Sequence, residues 1–459
     1  MKNTEQRICI IGGGPAGTSA AMYLEKAGYY NYVIYEKTGR VGGKAFSPLM
    51  KVKNSEGKWE DRTIEMGAVM GCDTYFAVQE CEEFGGATHA NGPAMGRRFM
   101  KVDGTPQKSS KIALLKKFIK MKKLSRLLET KYKGYDVNGH RGVSEGRYEG
   151  LCPSPKMKLA HIEGENPNLK ELSMPFSEFL KLNKCEDATL VWKGPFTSFG
   201  YGYFDEIPAA YVVKYLDSFT VRQFLSTGKL WTWKNGTQSI WEGVNSKLKH
   251  PALLNSEVTS VERKDGKVYV TVNGKVEEFD KLIICTPLEL FLKYGDARDE
   301  EKELFSKIQH KEYFTMAVRT EEGNTPDISY YFFENMTNET RGHLMVFYHR
   351  WPDAGDQPLV TFTLRNHEGM EDVPFDVAKE TTLKDMEICG RKVDKIERID
   401  DWYYFPHVSS KDYADGWYEK VEAMQGKDNT FYAGEVMSFG DMEETAEYSK
   451  DLIRRFFAE

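Results

Sequence analysis

"IGGGPAGTSAAMYLEKAGYYNYVIYEKTGRVGGK", residues 11–44, follows the apolar run Ile8–Ile11 and contains Thr18–Ala27, a segment with helical character. Gly12, Gly14 and Gly17 fall on the G-x-G-x-x-G spacing between that strand and that helix. Such a turn needs the first glycine to reverse the chain and the second to leave bare backbone beside a pyrophosphate. The third lets helix and strand pack closely. The pyrophosphate would accept from the unpaired N–H groups of the helix start. A second strand, Tyr32–Tyr35, ends at Glu36, roughly twenty residues on, where an acid accepts from a ribose. Glu36 would repel a 2′-phosphate. The stretch therefore predicts an α/β fold opening on a dinucleotide site.

The next residues separate nicotinamide from flavin. Glu36-Lys-Thr-Gly-Arg40-Val-Gly42-Gly43 resembles the E-x-x-x-R-x-G-G signature of FAD enzymes of the amine-oxidase and phytoene-desaturase type. An arginine beside two glycines lets backbone lie close to the diphosphate while adding a charge-assisted bond. Near the other end, "TFYAGEVMSFGDMEETAEYSKDLIRRFF" reads as a strand, Thr430–Ala433, then Gly434-Glu435 and a helix running to Phe457. The resemblance implies that Glu435 bonds ribityl hydroxyls, and that this helix points its partly positive N-terminus at the flavin. Glu65-Met-Gly67-Ala68 resembles the segment that passes the isoalloxazine in such proteins. The cofactor is thus expected to be FAD. Its contacts are expected at Gly12, Gly14, Ala16 and Gly17, at Glu36, Lys37, Arg40, Gly43 and Lys44, at Gly67 and Ala68, and at Val258, Gly434 and Glu435.

Composition narrows the class. A chain of 459 residues with 40% hydrophobic residues supports sizeable cores and about three domains. No apolar run approaches the ~20 residues that span a bilayer, and no signal peptide is read before the first strand. A net charge of −6 argues against a nucleic-acid partner. Seven scattered cysteines without C-x-x-C read as reduced thiols in a cytoplasm, with no metal site.

The expected architecture is a discontinuous Rossmann-like FAD-binding domain with a helical cap and a β-sheet substrate domain. Residues 1–90, 231–294 and 401–459 supply the three FAD-binding parts, 91–230 the cap and 295–400 the sheet. In "EVTSVERKDGKVYVTVNGKVEEFDKLIICTP", period-two alternation broken by Asp265-Gly266 and Asn273-Gly274 predicts a small antiparallel sheet. Lys281–Cys285 then returns to the main sheet. Within the cap, residues 108–133 hold ten Lys or Arg against the single acid Glu129. Two placements fit: a cap helix with one packed and one solvated basic face, or peripheral contact with an anionic membrane.

Longer strings carry a narrower resemblance. "PFTSFGYGYFDEIPAAYVVKYLDSFTVRQF", "GKLWTWKNGTQSIWEGVN", "HLMVFYHRW" and "WYYFPHVSSKDYADGWYEKVEAMQG" are similar to the bacterial FAD-dependent polyunsaturated fatty acid isomerases, the linoleate isomerases. So are "TKYKGYDVNGH" and "FYAGEVMSFG". The likeness spans nearly the whole chain apart from the basic helix and residues near 141–173. It implies a free polyunsaturated fatty acid as substrate and a conjugated isomer as product. It also implies an arginine holding the carboxylate, which in "GRRFMKVDG" is Arg97 or, one register step away, Arg98. Phe199 and Phe224 match family aromatics that contact the acyl chain. From composition alone, the cluster Phe196, Phe199, Tyr201, Tyr203 and Phe204 reads as core, with Gly200 and Gly202 relieving its crowding. His349, Arg350 and His407 read as satisfied structural groups.

No acid–base pair stands out in the sequence. That favours a shuttle in which flavin N5 accepts a hydride from the bis-allylic carbon and returns it to the other end of the allyl system. The same FAD residues would also serve an amine oxidase or a desaturase, and the basic helix leaves room for a noncatalytic, membrane-associated carrier.

Overall fold

Four short strands from distant parts of the chain form one parallel sheet, in the order Thr430–Tyr432, Lys281–Ile284, Ile8–Ile11, Tyr32–Tyr35. The computed structural model describes residues 4–92, 96–108, 111–132, 168–216 and 230–458. The strands are short apolar runs because both faces of the sheet are covered, and Ile8, Cys9, Ile10 and Leu282–Ile284 have no exposed surface. The connecting helix, Pro15–Lys26, starts three residues before the expected Thr18. Pro15 fits there because the first helical position does not use its missing N–H.

Val258–Lys264, Lys267–Val272 and Lys275–Phe279 form an antiparallel sheet. Both hairpins turn through consecutive left-handed residues, Asp265-Gly266 at φ 52° and 73° and Asn273-Gly274 at φ 49° and 75°. Beyond them, a six-stranded sheet runs in the order Val393–His407, Gln309–Thr320, Leu359–Leu364, Leu344–Tyr348, Ser329–Tyr331, Arg97–Phe99. One face packs Phe314, Met316 and Phe347 against the helix Phe375–Ile388. The other carries Tyr313, Tyr331, Tyr348 and Phe362 towards the rest of the protein.

Two expected boundaries shift. Arg97–Phe99 pairs in parallel with Ser329–Tyr331, so part of 91–230 is the edge of the sheet. Val393–His407 runs through the limit at 400 and 401, because one continuous strand pairs with Gln309–Thr320 along its length. The described α-helices between Phe99 and Trp231 are Lys111–Thr130, Leu169–Leu172, Phe176–Leu182, Thr189–Thr197 and Ala209–Tyr215. A buried ion pair ties the segment before Ala209–Tyr215 to the sheet: Lys311 Nζ lies 2.5 Å from Glu206 Oε2, each side chain 2% exposed.

The closing helix is Met442–Ile453, continued without a break by a π-helical segment at Arg454–Ala458, so the helical run reaches Phe457 as expected. Among the described residues no helix is long and apolar enough to cross a membrane, and no His, Cys, Asp and Glu group is arranged to hold a metal. Cys9, Cys72, Cys81, Cys185, Cys285 and Cys389 are free thiols. Cys152 lies outside the described residues.

Candidate functional site

One large cavity opens at the carboxyl ends of the parallel strands, where open α/β sheets bind ligands. The three glycines of the opening motif do different work there. Gly12 turns the chain at φ +109°, beside Cys285 and Thr286. A Cβ on Gly17 would lie 1.9 Å from the Gly12 carbonyl oxygen, so this glycine exists for packing. A Cβ on Gly14 would meet nothing nearer than Gly43 Cα at 3.7 Å, and Gly14 lines the cavity. It presents bare backbone at the start of Pro15–Lys26, whose N-terminus has no side-chain cap. Bare backbone at an uncapped helix start is suited to cradle a phosphate.

Glu36 also lines the cavity and is held in place by three donors. Its Oε2 accepts from the Gly13 N–H at 2.8 Å, and its Oε1 from the Thr38 N–H at 2.8 Å and hydroxyl at 2.7 Å. An oriented carboxylate with spare lone pairs suits a pair of ribose hydroxyls. The Arg40–Gly43 loop folds over the cradle: the Gly42 N–H donates to the Gly13 carbonyl at 3.0 Å, and Gly42 and Gly43 take φ +104° and +53°. Arg40 Nη2 donates to the Gly43 carbonyl at 2.7 Å, with its guanidinium 4.1 Å from the Phe46 ring centroid. Burial lowers the Arg40 pKa, against the favourable charge of Glu36.

At the other end, Gly434, Glu435, Gly440 and Asp441 line the cavity with the first turn of Met442–Ile453. Glu435 pairs with Lys44 at 2.7 Å, and Asp441 caps the helix by accepting from the Glu444 N–H at 2.7 Å. Gly67 and Ala68 lie beside Lys44: the Ala68 N–H donates to the Lys44 carbonyl at 3.0 Å, and a Cβ on Gly67 would be 1.8 Å from that oxygen. The segment is pinned to the six-stranded sheet. Thr315 Oγ1 and Trp402 Nε1 each donate to the Met66 carbonyl at 3.0 Å, and the Tyr348 hydroxyl donates to the Glu65 carbonyl at 3.1 Å. Burial pushes the Glu65 carboxyl up to about 7, opposed first by the Arg350 guanidinium and then by Ser47 and Thr237.

Beyond the cradle the wall becomes aromatic, with Tyr75, Phe199, Tyr201, Tyr215, Tyr313 and Tyr404 all lining it. Burial raises the Tyr201, Tyr215 and Tyr313 hydroxyls well above their ordinary pKa, so they stay protonated. Tyr404 precedes a bulge in which Phe405 adopts φ +43°, the kind of irregularity that re-aims side chains beside functional sites. Further rings continue from this wall: Phe199 lies 5.7 Å from Phe362, Phe362 5.5 Å from Tyr348, and Tyr331 6.0 Å from Phe99.

Among the expected site residues, Gly12, Gly14, Ala16, Glu36, Lys37, Arg40, Gly43, Lys44, Gly67, Ala68, Phe199, Gly434 and Glu435 line the cavity. Gly17 stands behind the wall. Val258 is a core residue, 9% exposed, at the start of Val258–Lys264, and is not part of the cavity lining. Arg97 and Arg98 lie on the sheet edge and do not line the cavity. Phe224 lies outside the described residues. Gly200 and Gly202 do relieve crowding, since Cβ atoms there would come within 2.7 Å of Tyr313 and Ile207. Phe199 and Tyr201 nevertheless belong to the wall, whereas Phe196, Tyr203 and Phe204 are core. Tyr75, Tyr215, Tyr313, Trp402 and Tyr404 also line the cavity, and of these only the last two fall in a string, "WYYFPH", that carries the resemblance.

The histidines are structural. His349 Nδ1 bonds Thr325 Oγ1 at 3.0 Å and His407 Nδ1 bonds the Phe405 carbonyl at 2.8 Å. Burial pushes them down to about 4 and about 3. Arg350 Nη2 donates to the Trp233 carbonyl at 2.9 Å. Among the described residues, no histidine lines the cavity.

Comparison with known proteins agrees with this geometry. The family described as flavin containing amine oxidoreductase matches residues 15–438. A crystal structure of a CLA-producing fatty acid isomerase from P. acnes is 44% identical, covers 100% of both chains and superposes with a TM-score of 0.89. The FAD-dependent oxidoreductase oblC of Cochliobolus heterostrophus is 26% identical over 97% of this chain and 90% of its own. A polyenoic fatty acid isomerase of Ptilota filicina is 24% identical over 66% of this chain and 63% of its own.

Proposed function

The chain belongs to the flavin containing amine oxidoreductase family, and from that premise we propose that it is an FAD-dependent isomerase converting a free polyunsaturated fatty acid to a conjugated isomer. The carrying observation is the junction of a dinucleotide cradle with a cavity wall of neutral aromatic rings. The parallel sheet is the Rossmann-like FAD-binding domain, discontinuous in sequence, with the helical cap and the six-stranded substrate sheet over it. Gly14 and the start of Pro15–Lys26 would hold the diphosphate. Glu36 would take the ribose, and Glu435 and Gly434 the ribityl chain. The chemistry supplied by the bound cofactor is reversible hydride acceptance at flavin N5, so a double bond moves without net oxidation.

The protein's part is alignment and exclusion of water. A bis-allylic C–H is a very weak acid, and among the described residues this wall offers no matching base. Its tyrosines are held protonated, Glu435 is paired with Lys44 and Asp441 caps a helix. His349 and His407 are weak bases turned to other partners. Anaerobic incubation with linoleate should therefore generate conjugated-diene absorbance, and turnover in heavy water should place little deuterium in the product. Diene formation that requires oxygen would favour an oxidase. Stoichiometric solvent deuterium would demand a base.

We assign carboxylate capture to Arg97. Two features support it over Arg98: Arg98 is paired with Asp327 at 2.6 Å, whereas Arg97 Nε is buried without a partner. Arg97 also stands opposite Ser329, which stands opposite Tyr348, on the face carrying the aromatic run. Arg97→Gln should remove about 2 kcal/mol of charge-assisted binding, roughly a 30-fold rise in KM for the free acid. The methyl ester should change far less. Equal effects on acid and ester would move the role elsewhere. We place the enzyme in the cytoplasm, on the strength of its free thiols, in peripheral contact with an anionic membrane through residues 108–133.

A further inference from the structure

The helix Lys111–Thr130 has more apolar surface than the cap uses. Met121, Leu124 and Leu128 are 8%, 0% and 0% exposed and form its packed side. Lys120 and Lys123, which charge counting assigns to the solvated face, are turned to the cap: their Nζ atoms donate to the Lys184 carbonyl at 2.8 Å and the Asn183 carbonyl at 2.7 Å. Left over are Leu115, Phe118 and Ile119, at helical spacing on one side and 59%, 48% and 56% exposed. The lysine contacts bring the 182–184 turn alongside, and there Leu182 is 52% exposed. Lys116, Lys122, Lys181 and Lys184 are exposed around these four apolar side chains, with Lys122 Nζ 4.8 Å from the Phe118 ring centroid. The exposed bases outnumber Glu178, Glu186 and Asp187, the acids of the neighbouring segment.

A basic rim around exposed leucine, isoleucine and phenylalanine fits the boundary between anionic headgroups and acyl chains. The apolar side chains enter below the phosphates while lysine stems reach back to them. We infer that Leu115, Phe118, Ile119 and Leu182 form a wedge that inserts into an anionic membrane surface, with Lys116 and Lys122 selecting the anionic lipid and the wedge holding the protein there. The purpose of such docking rests on the fatty-acid reading, since that substrate partitions into bilayers; the geometry does not.

The test uses the full-length, flavin-loaded protein and vesicles of phosphatidylcholine with or without phosphatidylserine. Sedimentation is read without turnover, so its failure leaves the isomerase reading standing. The wild-type protein should bind phosphatidylserine vesicles and retain part of that binding as salt screens the charges. The triple variant Leu115→Ser, Phe118→Ser, Ile119→Ser should bind about tenfold more weakly at every salt concentration while keeping its flavin absorbance and circular dichroism. Lys116→Gln with Lys122→Gln should lose the preference for phosphatidylserine and keep the residual, salt-resistant binding. Three results would overturn the inference: no binding by the wild-type protein, unchanged binding by the triple variant, or a wild-type dimer that the triple variant dissociates, which would make a second copy the occupant.

Discussion

Replacing Gly14 with valine is expected to give a folded, colourless protein. The backbone at Gly14 is extended, at φ −77° and ψ −171°, a conformation valine adopts without strain. Its Cβ would meet Gly43 Cα at 3.7 Å and the Gly43 nitrogen at 3.9 Å, ordinary van der Waals contacts. Gly14 lines the cavity at the start of Pro15–Lys26, so the two methyl groups are expected to occupy space where the proposed diphosphate needs bare backbone. Purified Gly14→Val should lack flavin absorbance and isomerise nothing. Its apo form should match the wild-type apo form in urea stability to within about 0.5 kcal/mol, as a substitution without steric conflict does. Gly17→Ala makes the contrast, because its Cβ meets the Gly12 carbonyl at 1.9 Å and must distort the sheet itself. Full flavin content in Gly14→Val would show that the cofactor lies elsewhere.

The largest effect on stability is expected at Lys311. This side chain is buried on the strand Gln309–Thr320 and neutralises Glu206, whose oxygens also accept from the Tyr203 N–H at 2.9 Å and the Glu368 N–H at 2.7 Å. Lys311→Met leaves that carboxylate buried without its cation, at a cost of about 3–5 kcal/mol. The measurement is the urea midpoint. The double variant Lys311→Met, Glu206→Gln should recover part of the loss, because the amide oxygen still accepts a bond while the buried charge is gone. A double variant no more stable than Lys311→Met would mean that packing, not charge, explains the loss.

The cradle was legible in the sequence because its parts are local. Gly12, Gly14, Gly17 and Glu36 sit at spacings that one βαβ unit fixes, and Arg40–Gly43 follows directly. The aromatic wall was not legible. Tyr75, Tyr215, Tyr313 and Tyr404 come from distant segments, and a buried tyrosine in a core has the same sequence pattern as one in a cavity wall. Only the tertiary arrangement separates Tyr201, which lines the cavity, from Tyr203, which lies two residues away and packs in the core. The same holds for Arg97 and Arg98. They are adjacent and chemically identical, and strand pairing puts Asp327 within reach of one alone. Lys120 and Lys123 show the opposite error of pattern reading, since periodicity cannot foresee that a neighbouring turn offers carbonyls to two lysines.

The strand order of the parallel sheet also constrains how the chain is made. Ile8–Ile11 sits between Tyr32–Tyr35 and Lys281–Ile284, and the sheet is finished by Thr430–Tyr432. During synthesis the first strand leaves the ribosome with one partner at hand, and the last strand follows roughly 20–80 s later at ordinary elongation rates. Throughout that interval an apolar edge that is wholly buried in the finished protein stands open to other chains. Were the flavin held by both ends of the chain, as proposed, it would be captured only after translation had passed Glu435, so cofactor supply would act on completed chains and not on growing ones.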